Sequence, residues 1–296
     1  MKELVIISGK GGAGKTSITA SFGMLAGTEG ILADCDVDAA DMHLLMQPDF
    51  GHSEDFYSGV LPKIDNDKCI GCNRCAEVCR FDAIEIVDDD YTVLPLECEG
   101  CGYCYQVCPP DAITMVEQNI GQLYKSNTKI DTPMVHAKLD IGAENSGKLV
   151  AKVKQEAQKI AKEQGLDWIL VDGSPGIGCP VVSSLSGADF VVLVTEPTGS
   201  GLHDLKRVYQ LVEKFKIPAG CIINKADLNP EIAERVKAYL NEQKIVHFGD
   251  LPYHKSFTEA MTAGQTIVEY DGGKIKNKIK KYWKKIKENL QDDDNE

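Results

Sequence analysis

Lys2-Glu3-Leu4-Val5-Ile6-Ile7-Ser8 runs directly into Gly9-Lys10-Gly11-Gly12-Ala13-Gly14-Lys15-Thr16. The first seven residues read as a short buried strand, and Lys15 to Ala26 as a helix. Between them stands G-x-x-x-x-G-K-S/T in the strand–loop–helix context that a phosphate-binding loop requires. Its glycines let successive backbone N–H groups wrap phosphate oxygens, and the helix N-terminus favours their negative charge. Gly9, Gly11, Gly12, Ala13, Gly14, Lys15 and Thr16 are thereby assigned to a nucleotide, with Lys15 at the β/γ-phosphates and Thr16 on Mg2+.

Working outward, Gly30–Asp34, Trp168–Asp172, Phe190–Thr195, Gly220–Asn224 and Ile245–Phe248 read as further short strands separated by helical stretches. Ser146 can cap a helix to about Gln164, and Asn229-Pro230-Glu231 is a helix start with proline at the first position. Strands alternating with helices predict an α/β fold with a mostly parallel sheet covered on both faces. The alternation stops after the second strand and is expected to resume near Asn145.

A cysteine array fills the interruption. Cys69, Cys72, Cys75 and Cys79 repeat 29 residues later as Cys98, Cys101, Cys104 and Cys108, each run reading C-x2-C-x2-C-x3-C. Asp82, Ala83 and Ile84 recur at the same offset as Asp111, Ala112 and Ile113, so a whole unit is duplicated. This is the ligand spacing of a protein with two 4Fe-4S clusters. Zinc is the competing thiolate metal, but its modules pair two C-x2-C knuckles across a spacer, four ligands per ion. Disulfide scaffolds are short secreted chains without phosphate loops. The expected domains are 1–60 and 121–296 for the nucleotide part and 61–120 for a small α+β insert.

Net charge is −13, unevenly spread. From Leu61 to Gln118 four basic residues face twelve acidic ones, 4 − 12 = −8. An acidic cluster domain repels nucleic acid and favours a basic redox partner, so no nucleic acid is expected. No basic-then-apolar leader opens the chain and no apolar run is long enough to span a bilayer, so the expected location is cytoplasmic. Lysines crowd the C-terminus, where Ile275, Ile279, Tyr282, Trp283, Ile286 and Leu290 share one helical face. That stripe can pack on the sheet or, as a basic amphipathic helix, make peripheral membrane contact; the acidic Asp292–Glu296 tail reads as a frayed end. Glu144-Asn145-Ser146-Gly147-Lys148 could contact a ligand, although helix capping by Ser146 explains it equally well.

With Lys10 preceding Lys15, the loop G-K-G-G-x-G-K-T resembles that of the MinD/ParA/Mrp group of P-loop ATPases, which includes the nitrogenase iron protein. The resemblance implies ATP hydrolysis by a homodimer formed across the nucleotide. In it Lys10 reaches the partner's phosphates, and Asp36 of Asp34-Cys35-Asp36 sits near the attacking water. Asp38 shares that first switch loop; Asp172 of Asp172-Gly173-Ser174-Pro175-Gly176 supports Mg2+ in the second. Asn224-Lys225-Ala226-Asp227 spells the guanine-reading N-K-x-D, while the group uses its asparagine on adenine; ATP is the expected nucleotide, with Asn224 and Asp227 as base contacts. The cysteine runs resemble bacterial two-cluster ferredoxins, in which the fourth cysteine crosses over. Carried over, Cys69, Cys72, Cys75 and Cys108 hold one cluster, and Cys98, Cys101, Cys104 and Cys79 the other. Arg80 follows Cys79 where Pro109 follows Cys108. Cys179 is placed like a bridging-cluster cysteine of the nitrogenase iron protein, but its second cysteine is absent between Met134 and Trp168; Cys35 and Cys221 are expected in the core. Together these imply a nucleotide-gated electron carrier with a redox protein partner. The alternative is an ATP-dependent scaffold or carrier for iron–sulfur or metallocofactor assembly.

Overall fold

The computed structural model describes residues 1–140, 146–270 and 273–292; Glu144, Asn145 and the acidic residues beyond Asp292 lie outside them. In chain order the elements begin with β1 (Lys2–Ile7), α1 (Lys15–Ala26), β2 (Gly30–Asp34), α2 (Met42–Met46) and β3 (His52–Ile64). The cysteine region holds α3 (Arg74–Val78), β4 (Ile84–Val87), β5 (Asp90–Val93) and α4 (Tyr103–Gln106). Then come β6 (Ile113–Asn127), β7 (Pro133–Leu139), α5 (Ser146–Gln164), β8 (Trp168–Asp172), α6 (Cys179–Leu185) and β9 (Phe190–Thr195). The chain continues through α7 (Gly199–Lys214), β10 (Ala219–Ile223), α8 (Pro230–Glu242) and β11 (Val246–Asp250) to α9 (Ser256–Thr262), α10 (Ile267–Tyr270) and α11 (Lys274–Asp292).

The chain divides into two compact units: Met1–Glu54, Gln122–Leu139 and Ser146–Glu296 form one, Asp55–Gly121 and Asp140–Asn145 the other. The sheet order is β11-β10-β9-β1-β8-β2-β7-β6-β3, with β4-β5 as a separate hairpin. β1 pairs parallel with both β8 and β9, and β2 parallel with β8 and β7. β2, β8 and β9 are buried along their whole length, which is the mark of parallel strands covered on both faces. Register places the C-terminal ends of β1, β2 and β8 side by side, with Ile6 opposite Asp172 and Asp34 opposite Asp172. Loops leaving those ends build the site, as in other open α/β sheets.

The sheet resumes earlier than the expected Asn145. β7 lies next to β2 with Leu32 opposite Met134, and β6 and β3 extend the same sheet. β3 alternates exposed and half-buried residues and β6 is largely polar, so neither carries the continuous apolar run that marks a buried strand. β7 does bury most of its length, but Pro133 and His136 break its apolar signature. β3 and β6 run continuously through the unit boundaries at 54/55 and 121/122.

α11 settles the C-terminal stripe. Ile275, Ile279, Tyr282, Trp283, Ile286 and Leu290 are all buried in the main core. Trp283 stacks on Phe22 of α1 (5.4 Å between centroids) and meets Trp168 of β8 edge-on at 5.0 Å. The apolar face that peripheral membrane contact requires is thus occupied by the protein's own sheet. No helix among the described residues is long and apolar enough to cross a membrane.

Candidate nucleotide and cluster sites

The loop between β1 and α1 wraps one side of a cavity of about 570 Å3. Its walls include Gly12, Lys15 and Thr16 from the loop, Asp36 and Asp38 after β2, and Ser174 after β8. Gly14 must be glycine here: its φ is +96°, and a Cβ would lie 2.5 Å from Asn224 Nδ2. Gly9 is needed for a different reason, since a Cβ would stand 2.5 Å from the Asp204 backbone. Gly9, Lys10 and Ala13 line a separate small cleft with Glu196 and Asp204 and are not on the wall of the large cavity.

At the floor of the loop Lys15, Asp36 and Asp172 are buried and hydrogen-bonded. Lys15 Nζ donates to Asp36 Oδ2 at 3.1 Å, and the Thr16 hydroxyl donates to Asp172 Oδ2 at 2.6 Å. Thr19 Oγ1 reaches the other Asp172 oxygen at 3.2 Å. Burial works against the Lys15 ammonium, but Asp172, Asp36 and Asp34 together outweigh it and hold its pKa above the ordinary value. Burial raises the Asp172 pKa, and Lys15 and the Thr16 hydroxyl pull it back only in part. Burial, reinforced by Asp172, pushes Asp34 well above its ordinary value. Asp34 Oδ2 is buried and has no hydrogen-bond partner. The Thr16 hydroxyl and the Asp172 carboxylate, 2.6 Å apart, are oxygen donors of the kind that suits a hard divalent cation. The second loop is tied down by Gly176 N donating to Ser8 O (2.9 Å) and Ser174 Oγ donating to Cys35 O (2.6 Å).

Lys10 is held on its own chain. Its ammonium pairs with Glu196 and lies 3.3 Å from Ser200 Oγ. Glu196 also takes Lys225 Nζ at 3.0 Å, and Lys225 in turn donates to Gly12 O at 3.1 Å. Burial opposes the Glu196 carboxylate, yet the two lysines prevail and hold its pKa below the ordinary range. Glu196 had no motif to announce it.

The far wall comes from Asn224, Lys225 and residues 252–261, including Tyr253, His254, Phe257 and Met261. Asn224 Nδ2 donates to Ala13 O at 2.9 Å and so braces the phosphate loop. Asp227, expected as a base contact, is not on the cavity wall. Its Oδ1 accepts from Tyr253 N at 2.6 Å, which anchors the wall from behind. The 252–261 wall was invisible in the sequence because it is an irregular loop and a short helix brought in by the sheet.

In the second unit the duplication is visible in the backbone. Left-handed residues recur in pairs 29 apart: Gly71 and Gly100, Asn73 and Gly102, Asp82 and Asp111. The hydrogen bonds exchange between halves, with Asp65 N donating to Ala112 O and Leu94 N to Ala83 O, both at 2.8 Å. Two small cavities follow the same rule. Cys69, Cys72, Cys75 and Cys108 line one, while Cys79, Cys98, Cys101 and Cys104 line the other. Each contains three thiols of one run and the fourth thiol of the other. Four thiols around an otherwise largely apolar hollow are the donor set of a thiolate-ligated cluster.

The remaining cysteines are apart from these. Cys35 and Cys221 are fully buried, and burial pushes both thiols up. Cys179 is exposed at the start of α6, with its Cβ 3.1 Å from the point where Gly147 would carry a Cβ.

A family model described as a 4Fe-4S dicluster domain matches residues 62–115. Protein MJ0578 of Methanocaldococcus jannaschii is 33% identical over 290 residues, covering 97% of this chain and 96% of the relative. Among solved structures, MinD from Pyrococcus horikoshii, determined with Mg-ADP, is 19% identical with a TM-score of 0.57, covering 96% of this chain and 95% of that one. McdA from Cyanothece, determined with ATP, is 16% identical with a TM-score of 0.55, covering 98% and 96%. The chain belongs to the family of MJ0578, and its fold is that of the MinD/ParA P-loop ATPases with a 4Fe-4S dicluster domain set into the chain.

Proposed function

We propose that this protein is an ATP-hydrolysing iron–sulfur protein in which nucleotide state gates electron transfer to a redox protein partner, acting as a homodimer. The observation that carries the reading is the pairing in one chain of the Lys15–Asp36–Asp172–Thr16 constellation with two separate four-thiol cavities. The Mg-ADP and ATP bound in the MinD and McdA structures support a nucleotide in the 570 Å3 cavity.

Lys15, already charged, exchanges its Asp36 partner for the β/γ-phosphates. Asp36 is then free to accept a hydrogen bond from the attacking water. Thr16 and Asp172 hold Mg2+, and Asn224 faces the base. Asp227 does not line the cavity, whereas Asn224 does, and this supports ATP over GTP. Lys10 leaves Glu196 to reach the phosphates of a second copy, supplying a cation where charge develops.

Cys69, Cys72, Cys75 and Cys108 hold one cluster, and Cys98, Cys101, Cys104 and Cys79 the other. The clusters supply one-electron storage. The gating reading is supported by connectivity: Asp36 and Asp38 lead through α2 into β3 and so into the cysteine unit. A nucleotide can gate transfer only by having different affinity for two states. Anaerobic purification tests the combination. The full chain is expected to carry two clusters' worth of iron and sulfide and to hydrolyse ATP; a protein with zinc in place of iron, or without ATP turnover, refutes it.

A further inference from the structure

The duplication sets up an internal comparison. Eleven of the twelve residues lining each thiol cavity have a counterpart 29 positions away on the other, Ile64 and Val78 being the exceptions, so differences between matched positions are departures from symmetry. Two of them change charge. The first cavity is lined by Arg74, and the counterpart on the second is Tyr103. The second is lined by Glu99, and the counterpart on the first is Ile70. The first wall therefore carries a cation and no anion, the second an anion and no cation. Arg80, which breaks the repeat against Pro109, is not on either cavity wall.

Adding an electron to a cluster adds negative charge. A neighbouring cation stabilises the reduced form and a neighbouring anion opposes it. From this we infer that Arg74 and Glu99 split the two sites in potential: the Cys69/Cys72/Cys75/Cys108 site is reduced first, and the Cys98/Cys101/Cys104/Cys79 site is the low-potential one. The inference rests on the proposed cluster ligation. The step is a one-electron transfer from a low-potential donor, with no bond made or broken and no proton moved. In the singly reduced protein the electron then favours the first site.

Both charged side chains are exposed, so solvent and salt screen them and the effect is modest. A threefold change in the reduced-to-oxidised ratio per charge corresponds to roughly 30 mV, at about 59 mV per tenfold for one electron. The test is an EPR-monitored potentiometric titration of the full-length, anaerobically purified protein, with dithionite as the donor. Two one-electron waves are expected. Arg74→Gln lowers the upper wave about threefold and leaves the lower one nearly in place. Glu99→Gln raises the lower wave by a similar factor, and the double variant brings the two together. Arg74→Lys keeps the upper wave, and Arg80→Gln moves neither. A single unsplit wave in the unaltered protein, or variants that move both waves equally, overturns the inference. Loss of iron and sulfide below two clusters in the unaltered protein instead overturns the ligation it rests on, and the two failures are told apart by metal analysis before titration.

Discussion

At the residue scale, Asp36 carries the chemistry of the proposal. It is 8% exposed and its Oδ2 lies 3.1 Å from Lys15 Nζ, so the same carboxylate that tethers the lysine is placed to orient water once the lysine turns to phosphate. Asp36→Asn keeps the shape and removes the base, and ATP turnover is expected to fall about 100-fold in kcat with a smaller change in KM. Steady-state kinetics check it; unchanged turnover would remove Asp36 from the mechanism. His136 offers a second residue-scale prediction. It is buried against Tyr124 and Phe50, and burial, reinforced by His43, lowers its pKa from 6.5 to about 4. As pH falls below 6.5 the unfolded chain takes up this proton before the folded one does. The stability contribution is therefore complete above pH 6.5 and is lost as pH falls toward 4, a total of about 3 kcal/mol. Urea unfolding between pH 7 and 4.5 measures it, and His136→Phe is expected to flatten that part of the profile. That Lys15, Thr16, Asp36 and Asp172 come together was legible in the sequence because backbone geometry ties them to short motifs. The places of Glu196, Asp34 and the Tyr253 wall were not, because only tertiary packing brings them in, and the hydrogen bond from Tyr253 N to Asp227 is one that the N-K-x-D motif does not announce.

At the scale of elements, α11 shows how one pattern can serve two ends. Its apolar stripe and lysine face suit an anionic membrane or a sheet, and periodicity does not choose between them. The edge-on contact of Trp283 with Trp168 of β8 chooses the sheet. Trp283→Ala is expected to cost roughly 3–5 kcal/mol, read from denaturant unfolding, because the indole leaves a large hole between α1, β8 and α11. A loss under 1 kcal/mol would mean the helix is only loosely held. Six of the seven strands wholly within the nucleotide unit were readable because each is a short apolar run between turns; β7 was not, with Pro133 and His136 in its run. β3 and β6 were missed for the opposite reason: 13 and 15 residues long, they are mostly polar and half-exposed, so hydrophobic period two is faint in both. The insert's elements are shorter still, and there the cysteine spacing located what hydrophobicity did not.

At the scale of the whole molecule, a P-loop unit and a thiol-lined unit share one chain, and the loop that carries Asp36 and Asp38 leads through α2 and β3 from one to the other. A switch so connected gains a function only if ATP and ADP stabilise different states of it. Hydrolysis and electron storage could each exist without the other; coupling between them is what the account claims. The direct measurement is electron-transfer rate and reduction potential of the anaerobic full-length protein with ATP, with ADP and without nucleotide, using one defined redox protein as acceptor. ATP is expected to change the rate or the potentials relative to ADP, and Asp36→Asn to lock the ATP behaviour in place. Identical rates and identical potentials in all three states would contradict it.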